Sequence, residues 1–342
     1  MKVAVYGASG HTGRFVVGEL LRRGHTPVAI GRDESKAAAA VAAHGSALET
    51  RIASLDSADS LDRALSGAAA VIHCAGPFLD TAQPLVEAAL RSRVQYFDVT
   101  AEQGSAASTF ELFDAPARER GIAIVPAAGF YGGLGDLLAT YAMGDWTRAD
   151  RIDLAIALNS WRPTLGTRRT GQRNTLPRLT LSDGTLKTMQ PSAPTSWNFS
   201  EPFGTQDVTE LPFTETILIA RHLRVSEMRN YMNQAPLRDL RDPATPEPIA
   251  ADAYGRSNQR FAMDVLVRNG DEERRVTLQG GDIYAITAPI VVSAVERICQ
   301  RQHRPAGAFA LGQLLDASEF LQSLEGAGEI VTRRPLKRSF KV

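Results

Sequence analysis

Cysteine is nearly absent. The 342 residues contain two, Cys74 and Cys299, with no CxxC and no Cys/His cluster. That argues against a disulfide scaffold and a structural zinc site, and leads us to expect a reducing, cytoplasmic setting and no metal. Lysine is scarce as well. Of 38 basic residues only five are lysines: Lys2, Lys36, Lys187, Lys337 and Lys341. A mechanism that needs a catalytic lysine has few places to put it, whereas arginine, which keeps its proton and forks onto phosphates and carboxylates, is plentiful. Neither sign of charge is in excess, because 38 acidic residues balance the 38 basic ones. Without a positive field, a general binder of nucleic acid or membrane surface is not expected. No run of about 18 apolar residues offers a membrane span, and glycine comes too early in MKVAVYGASG for a signal peptide.

What is present is ordinary globular composition, 44% apolar and 22% charged. At about 150 residues per domain, the length predicts two domains. Short apolar runs alternate with amphipathic stretches through residue 126: strands at 2–6, 26–30, 48–52, 69–73, 96–99 and 122–126, with helices between them, one over 35–44. Such alternation predicts parallel strands with right-handed crossovers, a doubly wound Rossmann-type α/β sheet. After about Gly135 the period changes. Asp183-Gly184 and Asn269-Gly270, each between alternating flanks, are two-residue hairpin signals, so residues 145–280 read as a mainly antiparallel sheet. The Pro/Ser/Thr/Gly-rich stretches 191–213 and 239–255 read as long loops, either lids or plain surface. The expected division is 1–136 as nucleotide domain, 137–280 as an α+β domain, and 281–342 as helices and a strand returning to the first.

Gly7-Ala8-Ser9-Gly10-His11-Thr12-Gly13 follows the first strand and opens the first helix. Glycines there let the backbone turn and approach a pyrophosphate, and the helix N-terminus offers free N–H groups to it. Ser9 and Thr12 can add hydroxyls, and His11 can fill space beside the phosphates. The second strand runs into Gly31-Arg32-Asp33, where an NAD enzyme places an acid for the ribose 2′-hydroxyl. Gly31 removes bulk there and Arg32 can clamp a 2′-phosphate, which favours NADP(H) over NAD(H); Lys36 could assist. Ligands of such a sheet sit at the carboxyl ends of its strands. That places Ser54 and Leu55 near the adenine, Cys74, Ala75, Gly76 and Pro77 beside the inner ribose, and Thr100, Ala101 and Glu102 toward the nicotinamide. Cys74 reads as a small buried residue, since nothing near it in sequence makes it a nucleophile.

The segments VYGASGHTGR, AIGRD, VIHCAGPF, VQYFDVTAEQ and PAAGFYGGLGD, with GGDIYAITAPIVVSAVERI and GAFALGQLLDASEFLQSL later on, resemble the saccharopine dehydrogenase-like NADP-dependent oxidoreductases, a superfamily that includes the bacterial trans-acting enoyl reductase group. The likeness covers residues 1–136 and 280–324 and hardly touches 145–260. It implies an NADP-dependent reductase of a C=N or activated C=C bond in a small molecule, and a second domain that supports substrate binding and homodimerisation. Where the family has glycine before the glutamate of its Asp-x-x-Gly-Glu stretch, this chain has Ala101. The Tyr-x-x-x-Lys pair of short-chain dehydrogenases is excluded, because none of the seven tyrosines has lysine four residues on.

Hydride transfer needs a proton donor or oxyanion partner near the acceptor. Tyr131, after the sixth strand, is the first candidate, with an aromatic plug as the alternative. Glu102 could orient the nicotinamide ribose or bind a cationic imine, or be merely solvated. Asp136 reads as a first-turn helix acid and Thr287 as an N-cap; His73 reads as a satisfied strand-end histidine. Arg162, Arg168, Arg169 and Arg173 either hold a substrate carboxylate or form a solvated cluster. Because no acid/base pair stands out, the alternative to a reductase is a non-catalytic NADP(H)-binding redox sensor or scaffold.

Overall fold

A computed structural model describes residues 1–35, 38, 48–333 and 338–339. The chain divides into two units, one made of Met1–Phe130, Arg169–Asn174 and Thr287–Phe309, the other of Tyr131–Arg168, Thr175–Ile286 and Ala310–Val342.

In the first unit, apolar runs such as KVAVY and AVIH are buried along nearly their whole length, as strands covered on both faces must be. In chain order its elements are β1 (Lys2–Tyr6), α1 (His11–Arg22), β2 (Thr26–Gly31), β3 (Glu49–Ile52), α2 (Ala58–Leu65), β4 (Ala70–His73), α3 (Phe78–Ser92), β5 (Gln95–Asp98), α4 (Gln103–Arg120) and β6 (Ala123–Val125). Helix α1 buries Gly13, Val16, Val17 and Leu20, the i, i+3, i+4, i+7 stripe of an amphipathic helix. Of the helix expected over 35–44 only Ser35 and Ala38 are among the described residues, and Lys36 lies outside them.

The second unit begins with α5 (Gly133–Met143) and β7 (Ala149–Leu158), followed by α6 (Leu165–Arg173), whose last residues count with the first unit. Strands β8 (Leu179–Ser182), β9 (Thr185–Thr188), β10 (Thr195–Asn198) and β11 (Thr205–Glu210) precede α7 (Glu215–His222), β12 (Val225–Asn233), α8 (Gln234–Arg241), β13 (Arg260–Asn269) and β14 (Glu272–Gly281). The chain returns to the first unit as α9 (Thr287–Cys299) and β15 (Gly307–Ala308), then ends in the second with α10 (Leu311–Leu314), α11 (Ala317–Gly326) and β16 (Ile330–Arg333).

The first sheet has the order β15-β6-β5-β4-β1-β2-β3, with every pair parallel. The order reverses between β1 and β4, so the crevice for a ligand opens at the carboxyl ends of those two strands. The second sheet runs β10-β11-β12-β7-β13-β14-β16, with the β8–β9 hairpin attached to β12. Its pairs are antiparallel except β7 with β12, so it is a mixed sheet.

Both hairpin signals form hairpins. Asp183 and Gly184 both have positive φ, 50° and 70°, as a type I′ turn needs. At the other, Asn269 pairs with Glu272, so the two turn residues are Gly270 and Asp271, one step beyond the Asn-Gly reading. Two expectations change. Residues 191–213 are not one long loop but carry the β10–β11 hairpin, because Trp197 and Phe199 find an apolar seat with Phe203 and Tyr231 on Ala155, Ala157, Val208 and Ala262. The return to the first unit spans Thr287–Phe309 rather than 281–342, because β16 pairs with β14 of the second sheet.

Candidate functional site

The glycine turn is built by contacts that leave no room for side chains. Gly7 has φ +84°, and a Cβ there would stand 2.7 Å from the Ala75 Cβ; one on Gly13 would stand 2.2 Å from the Gly7 carbonyl oxygen. Gly7 N–H donates to the Ile30 carbonyl and Gly10 N–H to that of Gly7, both at 2.9 Å. The turn therefore brings β1, β2 and the segment after β4 together at the crevice. Gly10 caps α1 with no side-chain acceptor, so the first helical N–H groups face outward beside exposed Ser9 and half-buried Thr12. His11 is held on α1 itself, edge-on to Phe15 at 5.3 Å and 3.3 Å from Arg14 Nη2.

At the end of β2, a Cβ on Gly31 would meet nothing within 4 Å. Exposed Arg32 makes no hydrogen bond or ion pair among the described residues. Asp33 turns away: its Oδ1 accepts from Ser35 N–H at 3.0 Å and Ser35 Oγ at 2.7 Å, an Asx turn opening the next segment. Sequence reasoning did not single out Tyr6. Its hydroxyl is buried and has no hydrogen-bond partner among the described residues, and the Arg32 guanidinium opposes the burial that raises its pKa. An aromatic hydroxyl closing a strand just before a glycine turn is the signal that could have found it. After β3, Ser54 donates from Oγ to Asp56 at 3.2 Å, and Leu55 beside it is half-buried.

After β4, burial pushes the Cys74 thiol far up, which leaves it protonated and inert. Ala75 N–H donates to His73 Nδ1 at 3.4 Å, and His73 Nε2 meets Thr81 Oγ1 at 3.0 Å, so this histidine is a satisfied strand-end residue; burial holds its pKa down at about 3. A Cβ on Gly76 would lie 2.9 Å from Thr170 Oγ1, and Pro77 caps α3. After β5, Asp98 accepts from the N–H groups of Thr100 and Ala127 and from the Tyr96 hydroxyl, while burial raises its pKa to about 6. Thr100 Oγ1 accepts from Glu102 N–H across Ala101. The Glu102 carboxylate is buried and accepts from Phe78 N–H at 2.7 Å and Leu79 N–H at 3.1 Å, the first turn of α3. Burial raises its pKa and those two bonds oppose the rise. Glu102 is thus a helix-terminus acceptor supplied from a neighbouring loop. Thr287 has a comparable task, accepting from Phe130 N–H at 3.2 Å.

In the second unit Tyr131 is half-buried with its hydroxyl buried, stacked on Trp161 at 5.6 Å and against Phe213 at 4.3 Å. Burial raises its pKa well above the ordinary tyrosine range. Beside it lies an acid that sequence reasoning missed. Glu215 Oε1 accepts from Gly132 N–H at 2.8 Å; Oε2 is buried with no hydrogen-bond partner among the described residues. Burial raises the Glu215 pKa to about 7, and neighbouring Asp136 adds to the rise while Arg178 opposes it. Arg178 lies over the Phe213 ring and donates to the Pro212 carbonyl. The sequence clue was an acid inside the run FTETILIA. Asp136 bonds to His222 Nε2 at 2.6 Å and accepts from Gly312 N–H at 2.7 Å, so it is structural. The arginine group separates: Arg173 pairs with Asp80 in the first unit, while Arg168 donates to the carbonyls of Asp242 and Thr245 in the second. Among the described residues no group of three or more His, Cys, Asp or Glu could hold a metal ion, and no helix is long and apolar enough to cross a membrane.

Comparison with curated protein sequences gives no significant match. Among solved structures, the apo, histidine-tagged saccharopine dehydrogenase (L-Glu forming) from Saccharomyces cerevisiae is similar over 98% of this chain and 99% of that one, at 13% identity and a TM-score of 0.69. An NADPH-dependent quinone oxidoreductase from Escherichia coli is similar over 41% of this chain and 52% of that one, at 25% identity and a TM-score of 0.30. Residues 3–124 match the family model of the saccharopine dehydrogenase NADP binding domain. They thus carry a saccharopine dehydrogenase NADP-binding domain, within a chain whose fold is that of saccharopine dehydrogenase.

Proposed function

We propose that the chain is an NADP(H)-dependent oxidoreductase that reduces a C=N or activated C=C bond of a small molecule. The observation that carries this reading is the end of β2 in a family-matched NADP-binding domain. There Gly31 leaves open space, Arg32 has no protein partner among the described residues, and Asp33 is committed to Ser35. The cradle fits the dinucleotide: its backbone is bare at Gly7 and Gly13, and the α1 terminus lacks a side-chain cap. In this reading Gly7, Ser9, Gly10, His11, Thr12 and Gly13 hold the pyrophosphate, and Gly31 with Arg32 takes the 2′-phosphate. Ser54 and Leu55 border the adenine, Cys74, Ala75, Gly76 and Pro77 follow the ribose, and Thr100 with Ala101 reaches toward the nicotinamide. When bound, the dinucleotide supplies the hydride. Glu102 acts through the chain, because its carboxylate fixes the start of α3 and with it the 74–77 turn.

The test is loss of NADPH absorbance on adding a series of cyclic imines and α,β-unsaturated carbonyl compounds. Turnover with one class and not the other assigns the bond reduced; tight NADPH binding with no turnover on either sinks the reductase reading. A second reading, a redox sensor or scaffold that binds NADP(H) without turnover, draws on one observation. Neither the Glu102 carboxylate, held by two backbone N–H groups, nor the Tyr131 phenol, packed against two rings, is presented as an acid. A homodimer formed through the second unit, in a reducing cytoplasm suited to the free Cys74 and Cys299, belongs to the same proposal. Light scattering at micromolar concentration reads the mass.

A further inference from the structure

We infer that the second unit carries a binding pocket for a small organic carboxylate with an apolar body, anchored by Arg162. The inference does not rest on the reductase reading.

The pocket is a cavity of about 370 Å³ formed where the chain leaves β7 and the irregular segment after α8 runs past it. Its lining includes polar Asn159, Arg162, Asn258 and Tyr284 and the apolar run Pro248–Ala251. Its frame is held by bonds that do not involve Arg162. Gln259 donates from Nε2 to the Ser160 carbonyl at 2.6 Å and accepts at Oε1 from Ile283 N–H at 2.9 Å. Trp161, next to Arg162, is buried, with its backbone N–H on Asp239 and its indole N–H on the Tyr284 hydroxyl, at 2.9 and 3.0 Å.

Charge decides what the pocket takes. Arg162 is exposed and makes no hydrogen bond or ion pair among the described residues, unlike Arg168, which is spent on two carbonyls. Of the acids next to this frame in the chain, Asp239 is used on Trp161, Asp282 on the backbone N–H groups of Ser257, Tyr284 and Ala285, and Asp252 on Arg256, while exposed Glu247 precedes the apolar run. A guanidinium that no acid holds, lining a cavity with hydrogen-bonding amides, selects an anion with in-plane oxygens. The apolar wall narrows the class. Ile249 is 60% exposed, and an apolar ligand body would cover it. A phosphate dianion would leave charge facing that wall uncompensated, whereas a monocarboxylate places one charge on one arginine and its carbon chain on Pro248–Ala251.

Phenylglyoxal modification, mapped by peptide mass spectrometry, reads Arg162 directly. Hexanoate titrated to saturation should slow modification of Arg162 at least about fivefold by mass action, while exposed Arg169 in the first unit serves as internal reference and keeps its rate. Hexanamide should not protect, and inorganic phosphate should protect less than hexanoate. Ile249→Ser should weaken protection by hexanoate while leaving the unprotected rate of Arg162 unchanged. The inference is overturned if Arg162 is unreactive in the free protein, if hexanoate gives no protection, or if hexanamide protects equally. Phosphate protecting as well as hexanoate would overturn the carboxylate assignment in favour of a general anion site.

Discussion

In the proposed function, one guanidinium distinguishes the two nicotinamide dinucleotides. Arg32 has neither hydrogen bond nor ion pair among the described residues, so its fork is free for a phosphate without first breaking a protein contact. A charge-assisted hydrogen bond contributes about 1.5–3 kcal/mol, which is roughly 10- to 150-fold in affinity. Arg32→Ala should therefore weaken NADPH by that factor and NADH by less than about twofold, read by quenching titrations with both nucleotides. Equal losses would remove the 2′-phosphate from Arg32. For Tyr131 the surroundings favour packing over proton transfer, since its ring packs against Trp161 and Phe213 in a site that disfavours the phenolate. Tyr131→Phe should cost less than about 1.5 kcal/mol, a near-isosteric change, and leave turnover and NADPH affinity nearly unchanged. Tyr131→Ala should cost about 3–5 kcal/mol, as aromatic truncations in cores do. A tenfold fall in turnover for Tyr131→Phe at unchanged stability would give the hydroxyl back its chemical role.

Among the elements, α3 has a start that depends on another part of the chain. Its cap residue, Pro77, offers no side-chain acceptor, and the carboxylate of Glu102 accepts from Phe78 and Leu79 instead. Glu102→Ala strands two buried N–H groups and should cost about 2–4 kcal/mol in urea unfolding, with Glu102→Gln, which keeps one acceptor, in between. Normal stability with abolished turnover would instead make Glu102 a catalytic group. The same distinction between local and distant partners explains what the sequence revealed. The strand–glycine–helix turn was legible because the positive φ of Gly7 and the close approach of Gly13 to the Gly7 carbonyl lie within a dozen residues, and the Asp183-Gly184 hairpin because both turn residues take positive φ. The β10–β11 hairpin was hidden because its aromatic residues are seated by strands far along the chain; Trp197 donates to Asp264, 67 residues away. Glu215 was hidden for the same reason, its backbone partner Gly132 lying 83 residues earlier. Composition marked 191–213 as loop, but burial of Trp197 and Phe199 outweighed it.

For the molecule as a whole, buried titratable groups in the two units push stability in opposite directions as pH changes. His73, held down to about 3 from an ordinary 6.5, takes a proton on unfolding but not when folded, so its contribution is lost as pH falls below about 6.5. Asp98, raised to about 6 from 3.8, and Glu215, raised to about 7 from 4.5, behave the other way. Each keeps a proton in the folded protein that the unfolded chain releases, so each lowers stability as pH rises from its ordinary value to its folded one. For Glu215 the window is about 4.5 to 7, and at about 1.4 kcal/mol per unit the full effect is about 3 kcal/mol. Because His73 and Asp98 titrate in the same range with opposite signs, the parent profile does not isolate the Glu215 effect, and a difference between variants is needed. Glu215→Gln keeps an acceptor for Gly132 N–H and cannot ionise. Its stability relative to the parent should rise by up to about 3 kcal/mol between pH 4.5 and pH 8, measured by urea unfolding at each pH. A difference that stays constant across that range would mean that Glu215 ionises in the folded protein as readily as in the unfolded chain, and that the acid behind Tyr131 holds no proton near neutral pH.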